Sequence, residues 1–155
     1  MARTAEQRFW SKVDKTTECW NWTASKDGTG YGKFWSIDRL IPAHRYSFTL
    51  AHGTIPEGQL IDHICHNKAC VKPAHLRLAD AKQNQQHRRG AQTNNTTSGM
   101  RGVTWHKGDK RWQAQLAHQG KYIYCGQYLT AGEAEDAVRT KRRELFTHSD
   151  MDRAA

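Results

Sequence analysis

The stretch Asp62-His63-Ile64-Cys65-His66-Asn67-Lys68-Ala69-Cys70-Val71-Lys72-Pro73-Ala74-His75-Leu76 decides the fold of this chain. Cys65, Cys70 and His75 recur with four residues between neighbours. Soft donors at such spacing are the pattern of a structural zinc site, which takes four Cys or His ligands tetrahedrally. Asp62 and His63, with Asn84 downstream, are of another kind: hard oxygen donors beside an imidazole.

The loop supplies three zinc ligands, so the fourth must come from elsewhere. Cys19 is preferred, at the start of an expected strand and next to Trp20; Cys125 is the competitor, and His66 is too close to Cys65 to chelate without strain. A zinc held by four side chains has no open position and would build the loop, not catalyse. The second set suits phosphodiester hydrolysis. His63 is placed as the base that takes a proton from water, because an imidazole titrates near neutrality. Asp62 and Asn84 are the expected ligands of one Mg²⁺ or Mn²⁺, ions that prefer oxygen donors. Arg45 is the expected clamp on the scissile phosphate, a role suited to a planar fork of donors.

Charge points the same way. The 155 residues carry a formal net charge of +9. The excess is in both halves: 14 Lys/Arg against 8 Asp/Glu in residues 1–90, and 10 against 7 in residues 91–155. Basic halves on both sides are expected when both lie on a polyanion. Mean hydropathy is −0.90, and no apolar run approaches the ~20 residues that span a bilayer. The N-terminus lacks a signal-peptide core. The expectation is a soluble cytoplasmic protein, in a host cell's cytoplasm if phage-encoded, without a membrane partner. Four cysteines in a reducing compartment read as metal ligands before disulfides.

Residues 4–13 are expected to be a helix opened by a Thr4/Gln7 capping box. Residues 18–24 and 31–37 read as two strands joined by the turn at Asp27-Gly28-Thr29-Gly30, and 43–52 as a helix ending at Gly53. Gln59 to Asp62 and Leu76 to Leu78 read as strands around the loop, followed by a helix from Asp80 to Arg89 carrying Asn84. Residues 90–99 hold no large apolar side chain and read as linker. Beyond it come three short strands, 101–106, 111–117 and 121–128, and a helix capped by Thr130 and Glu133.

Residues 8–90 resemble HNH endonucleases of the phage and homing type, most closely the His-Cys box variant. His63, Cys65, Cys70, His75 and Asn84 stand in the register H-x-C-x4-C-x4-H with an Asn nine residues on. Cys19-Trp20-Asn21-Trp22, Tyr31-Gly32-Lys33-Phe34 and Ala43-His44-Arg45 are also similar to phage HNH proteins. The resemblance implies a ββα-metal (His-Me finger) fold. It implies His63 as general base, Asp62 and Asn84 on the catalytic metal, and Cys19, Cys65, Cys70 and His75 on zinc. The chain departs from the family at Lys72, where an Asn that braces the loop is usual.

Residues 98–146 resemble an AP2/ERF-type DNA-binding domain, which lays a three-stranded sheet in the major groove. The matching pieces are Ser98 to Trp105, Arg111 to Leu116 and Gly120 to Gly126. Strand alternation puts Arg111, Gln113 and Gln115 on one face and Trp112, Ala114 and Leu116 on the other. Arg101, Thr104, His106, Tyr122 and Tyr124 fall where that family touches DNA.

The expected class is α+β. A zinc-stapled nuclease domain (1–90) is followed by a linker (91–97), a three-stranded antiparallel sheet with one helix (98–147) and a tail (148–155). The expected activity is metal-dependent, homing-type cleavage or nicking of double-stranded DNA. The alternative is a sequence-specific DNA-binding regulator on an inactive zinc scaffold. Oligomeric state, monomer or homodimer, is not legible in the sequence.

Overall fold

The protein is described as a computed structural model over residues 2–88, 90–91 and 95–153, with Met151 and Arg153 described by their backbone alone. The chain divides into two compact units, Met1–Lys82 and Gln83–Ala155. The division falls inside a helix, not in the expected 91–97 linker. Arg89, Gln92, Thr93 and Asn94, and Ala154 and Ala155 of the expected tail, lie outside the described residues.

The first unit opens with helix α1, Ala5–Trp10, started by the Thr4/Gln7 capping box. It is shorter than expected: Ser11 caps it, and Val13 belongs to strand β1, Val13–Asp14, paired with β2, Asn21–Trp22. The expected hairpin between residues 18–24 and 31–37 does not form. Strand β3, Lys33–Trp35, pairs instead with β4, Leu40–Pro42, in the register Lys33↔Pro42, Phe34↔Ile41 and Trp35↔Leu40. Only an isolated bridge, Lys26↔Gly32, closes the Asp27 turn. Phe34, Phe9 and Trp22 meet with Ala43 and Val71 in one buried cluster. Burying each large ring contributes roughly 1.5–3 kcal/mol.

Helix α2, Ala43–His52, follows β4 directly and ends at Gly53, as expected. Its buried side carries Ala43, His44, Ser47 and Phe48. Strand β5, Leu60–His63, runs antiparallel to β6, Leu76–Ala79, with Asp62 opposite Arg77 and His63 opposite Leu76. Phe48, Ile61 and Leu76 form a second small core between α2 and this ribbon. The loop between the strands ends in a 3₁₀ turn, Pro73–His75. Helix α3, Ala81–Gln86, comes next. The order strand, ligand loop, strand, helix is the expected ββα arrangement.

In the second unit, β7 (Val103–His106), β8 (Arg111–His118) and β9 (Lys121–Tyr128) make one antiparallel sheet with β8 central. Helix α4, Ala131–Leu145, starts at the Thr130/Glu133 capping box and packs Ala134 and Val138 against Val103, Ala114 and Leu116. Gly102, at φ 84°, passes so close to β8 that a Cβ would lie 2.5 Å from the Gln115 carbonyl oxygen. Two features depart from expectation. Asn95 and Ser98, read as linker, fold onto the sheet: both donate to the Val103 carbonyl. A short helix α5, Asp150–Arg153, occupies the expected tail, and its Asp152 takes two hydrogen bonds from buried Arg142.

Candidate metal centre and hydrolytic site

Cys19, Cys65, Cys70 and His75 place one ligand atom each within 4.8 Å of all the others. The His75 Nδ1 lies 3.7 Å from the Cys19 sulfur and 3.6 Å from that of Cys70. A tetrahedral zinc, about 2.3 Å from sulfur and 2.0–2.1 Å from nitrogen, requires ligand edges of about 3.5–3.8 Å. The donor set therefore fits zinc. Cys125 lies in the second unit and is not one of the four.

Backbone pairing brings Cys19 to the loop. Trp22 N–H donates to the Ala69 carbonyl and Val71 N–H to the Trp20 carbonyl, both at 2.8 Å, so residues 20–22 lie as a strand along 69–71. Asn67 crosses to Asn21 at 2.7 Å. Ser47 on α2 donates to the Val71 carbonyl at 2.5 Å, tying the helix to the same segment. Lys72, the departure from the family, reaches back with its Nζ to the Glu18 carbonyl at 3.0 Å and straps the segment that carries Cys19. Burial pushes the Cys65 thiol up to about 12 and raises Cys70 as well. A bare cluster thus keeps its protons, and a cation entering must displace them.

His63 is buried at the end of β5, and its Nε2 lies 3.0 Å from the Cys70 carbonyl oxygen. A carbonyl only accepts, so the proton is on Nε2 and the lone pair is on Nδ1. Cys70 thus serves twice, its sulfur in the metal cluster and its carbonyl on the histidine.

Asp62 is buried and held by the Arg77 Nε at 2.9 Å across the ribbon. Adjacent strand residues leave on opposite sides. Tyr31 lies beside His63, its ring 5.7 Å away, and burial first, then the charges of Asp62 and Asp27, raises the pKa of its hydroxyl. Tyr31 is set by the turn, since the Asp27 carboxylate accepts from its N–H at 3.0 Å.

His44, which the sequence reading left without a role, stands 4.9 Å from the His63 ring and 5.2 Å from Tyr31. It is buried, its Nδ1 has no hydrogen-bond partner among the described residues, and burial above all pushes its pKa down to about 3. It is an uncharged imidazole at physiological pH. Its signal in the sequence is the piece Ala43-His44-Arg45, similar to phage HNH proteins, at the start of a helix that follows Pro42. Arg45 comes next, half-buried, with no side-chain partner among the described residues. Asn84 is exposed on α3 and belongs to the second unit.

On the three-stranded sheet, cross-strand pairing places Thr104 with Gln113, His106 with Arg111 and Gln115 with Tyr124 on the face away from α4. Tyr122 and Tyr124 are 80% and 59% exposed. Arg101 departs from expectation. Its guanidinium is turned onto the carbonyls of Gln85, Gln86 and Arg88, where it caps the end of α3, and lies over the Phe146 ring.

A family model described as HNH endonuclease matches residues 42–86. The match covers α2, the ββ ribbon with its loop, and α3, and ends before the three-stranded sheet. Three curated proteins of Escherichia phage T7 are similar to the chain. Protein 7.7 is 33% identical over 69 residues, 44% of this chain and 53% of that protein. Protein 2.8 is 29% identical over 68 residues, 43% and 45%. Protein 3.8 is 33% identical over 91 residues, 59% of this chain and 71% of that protein. The chain therefore spans about half the length of the first two. No solved structure matches. No helix among the described residues is long and apolar enough to cross a membrane.

Proposed function

We infer the function from one premise: the chain belongs to the family of phage proteins that includes protein 3.8 of Escherichia phage T7, and its residues 42–86 are an HNH endonuclease domain. The proposed activity is metal-dependent hydrolysis of phosphodiesters in double-stranded DNA. The observation that carries it is the hydrogen bond from His63 Nε2 to the Cys70 carbonyl, which fixes the ring in the tautomer whose lone pair is on Nδ1.

In this reading Nδ1 takes a proton from water as the water attacks phosphorus, and the products are a 5′ phosphate and a 3′ hydroxyl. Arg45, beside His44, holds a non-bridging oxygen. Asp62 and Asn84 are the residues that would hold Mg²⁺ or Mn²⁺, ions that prefer oxygen donors, with Arg77 at 2.9 Å from the Asp62 carboxylate. Such an ion would supply positive charge to the phosphate being cut. Zinc on Cys19, Cys65, Cys70 and His75 is structural in this proposal. Bound there, it would steady the loop whose Cys70 carbonyl meets His63.

The second unit is proposed as the reader, in the manner of an AP2-like sheet. Thr104, His106, Arg111, Gln113, Gln115, Tyr122 and Tyr124 offer polar and aromatic groups to a groove. Arg101 is left out, being turned to α3. A homing-type role, cutting at one chosen locus, belongs to the same proposal.

Plasmid nicking with Mg²⁺ or Mn²⁺ tests the chemistry, with run-off sequencing to report the target. Nicking that disappears in His63→Ala supports the reading. DNA binding without cleavage under any divalent metal would make the chain a regulator on a zinc scaffold instead.

A further inference from the structure

Tyr31 and His44 both pack on His63, and the chain between them runs out and back as the β3–β4 hairpin. The hairpin is therefore rooted at the candidate cutting site. Its root is rigid. Ala43 N–H donates to the Gly32 carbonyl at 2.8 Å. A Cβ on Gly32 would lie 2.6 Å from the Trp22 ring and 3.0 Å from the Ala43 Cβ, so only glycine passes there.

The two faces of the ribbon differ. Phe34, with Ile41 opposite, faces the core. The other face presents Trp35 and Leu40 as a cross-strand pair, 57% and 51% exposed, with Ile37 at the tip 83% exposed. A contiguous apolar patch of this kind marks a contact surface. Its rim is cationic. Lys33 and Arg39 are exposed on the hairpin, against the single carboxylate of Asp38. At ~3.3 Å per residue, Lys33 to Ile37 extends on the order of 13 Å from the root. That is roughly four base-pair steps of duplex at ~3.4 Å each.

We propose that the β3–β4 hairpin is a DNA finger: double-stranded DNA seats on its outer face, with Lys33 and Arg39 on the phosphates and Trp35, Ile37 and Leu40 in the minor groove a few base pairs from the cut. Apolar side chains flanked by cations are the means by which proteins wedge minor-groove steps open. The inference rests on the endonuclease reading, because it takes its occupant from it. The rim fits a polyanion better than a second copy of a chain carrying +9.

The test is fluorescence anisotropy of the full-length zinc-loaded protein on a short A/T-rich duplex, at two salt concentrations, with plasmid nicking measured in parallel. The double variant Trp35→Ser/Ile37→Ser should bind roughly tenfold more weakly, as expected when aromatic anchors are removed. Netropsin, which fills the minor groove, should displace the wild type. Because both changed residues are exposed, melting temperature and zinc content report whether the fold is intact. Should the double variant misfold, Arg39→Gln serves in its place and should lower affinity and reduce the salt slope. A nicking-competent wild type whose folded variants bind as tightly as it does sinks the finger and leaves the endonuclease reading standing. A wild type that neither binds nor nicks sinks both. A wild-type dimer in sedimentation that the double variant breaks, at unchanged DNA affinity, assigns the patch to a second copy and overturns the proposal.

Discussion

His63 is the residue on which the proposed chemistry turns, and its environment makes separate demands on two neighbours. The Cys70 carbonyl fixes the tautomer, and His44 closes one side without adding charge. His63→Ala should therefore remove nicking while sparing DNA affinity, with a rate loss of at least about 10²-fold, the usual contribution of a general base. Normal nicking by that variant would mean that another group takes the proton. His44 carries its own pH signature. Its folded value, about 3, lies below its ordinary 6.5. The stabilisation from burying it neutral is full above about 6.5 and is lost as pH falls towards 3. At pH 5 the loss should be about 2 kcal/mol relative to neutral pH. Urea titrations of the wild type and His44→Phe at pH 7.5 and 5 read it directly: the difference in stability between the two pH values should shrink in the variant. An equal acid loss in both would assign the sensitivity to other groups.

The zinc loop is the element through which residues far apart in sequence reach one another. Phosphodiester chemistry needs no zinc in the cluster, yet the Cys70 carbonyl that orients His63 belongs to a cluster ligand. Chelating zinc should therefore abolish nicking and lower the melting temperature of the first unit; Mg²⁺ alone should not restore cleavage, whereas zinc followed by Mg²⁺ should. Cys70→Ser should show the same melting loss, and an unchanged melting curve would remove zinc from the account. Gly32→Ala should cost about 1–3 kcal/mol, the usual penalty of overpacking, measured by thermal melting, because the Trp22 ring already occupies the space. The loop was legible because four soft donors must converge on one ion whatever the backbone does, and that requirement survives in the spacing. Cys19 was legible for a weaker reason, a strand position beside Trp20; what delivers it is the pairing of residues 20–22 with 69–71, which no local pattern announces. The β3–β4 hairpin was misread for the same cause. Leu40–Pro42 is three residues ending in proline, too short to alternate, so 31–37 was matched to the wrong strand.

The two units of the whole molecule divide inside α3, which carries Asn84. What holds the end of that helix comes from much later in the chain. Arg101 binds the carbonyls of Gln85, Gln86 and Arg88, and the Thr147 N–H donates to the Gln86 side chain at 3.2 Å. His87 adds an ion pair to Asp150 at 3.4 Å when protonated. Sequence register placed Arg101 with the DNA contacts, because a guanidinium before a strand looks the same whether it faces a groove or a helix end. Its true partners are carbonyls, which carry no side-chain signature. A six-residue helix has almost no stability of its own, since isolated helices shorter than about 12 residues are marginal in water. Residues 91–155 are thus more than a separable reader in the proposed enzyme. A protein cut after residue 90 keeps the zinc ligands, His63 and Asp62, but loses every one of those anchors on α3. It should retain zinc and the melting transition of the first unit, yet nick roughly tenfold or more slowly even at saturating DNA, because Asn84 is no longer held. Arg101→Ala in the full chain should reproduce part of that loss in kcat with a smaller change in affinity, whereas Arg111→Ala on the sheet face should weaken affinity first. Equal kcat for the truncated and full-length proteins at saturating DNA would show that α3 needs no help, and would return Arg101 to the groove.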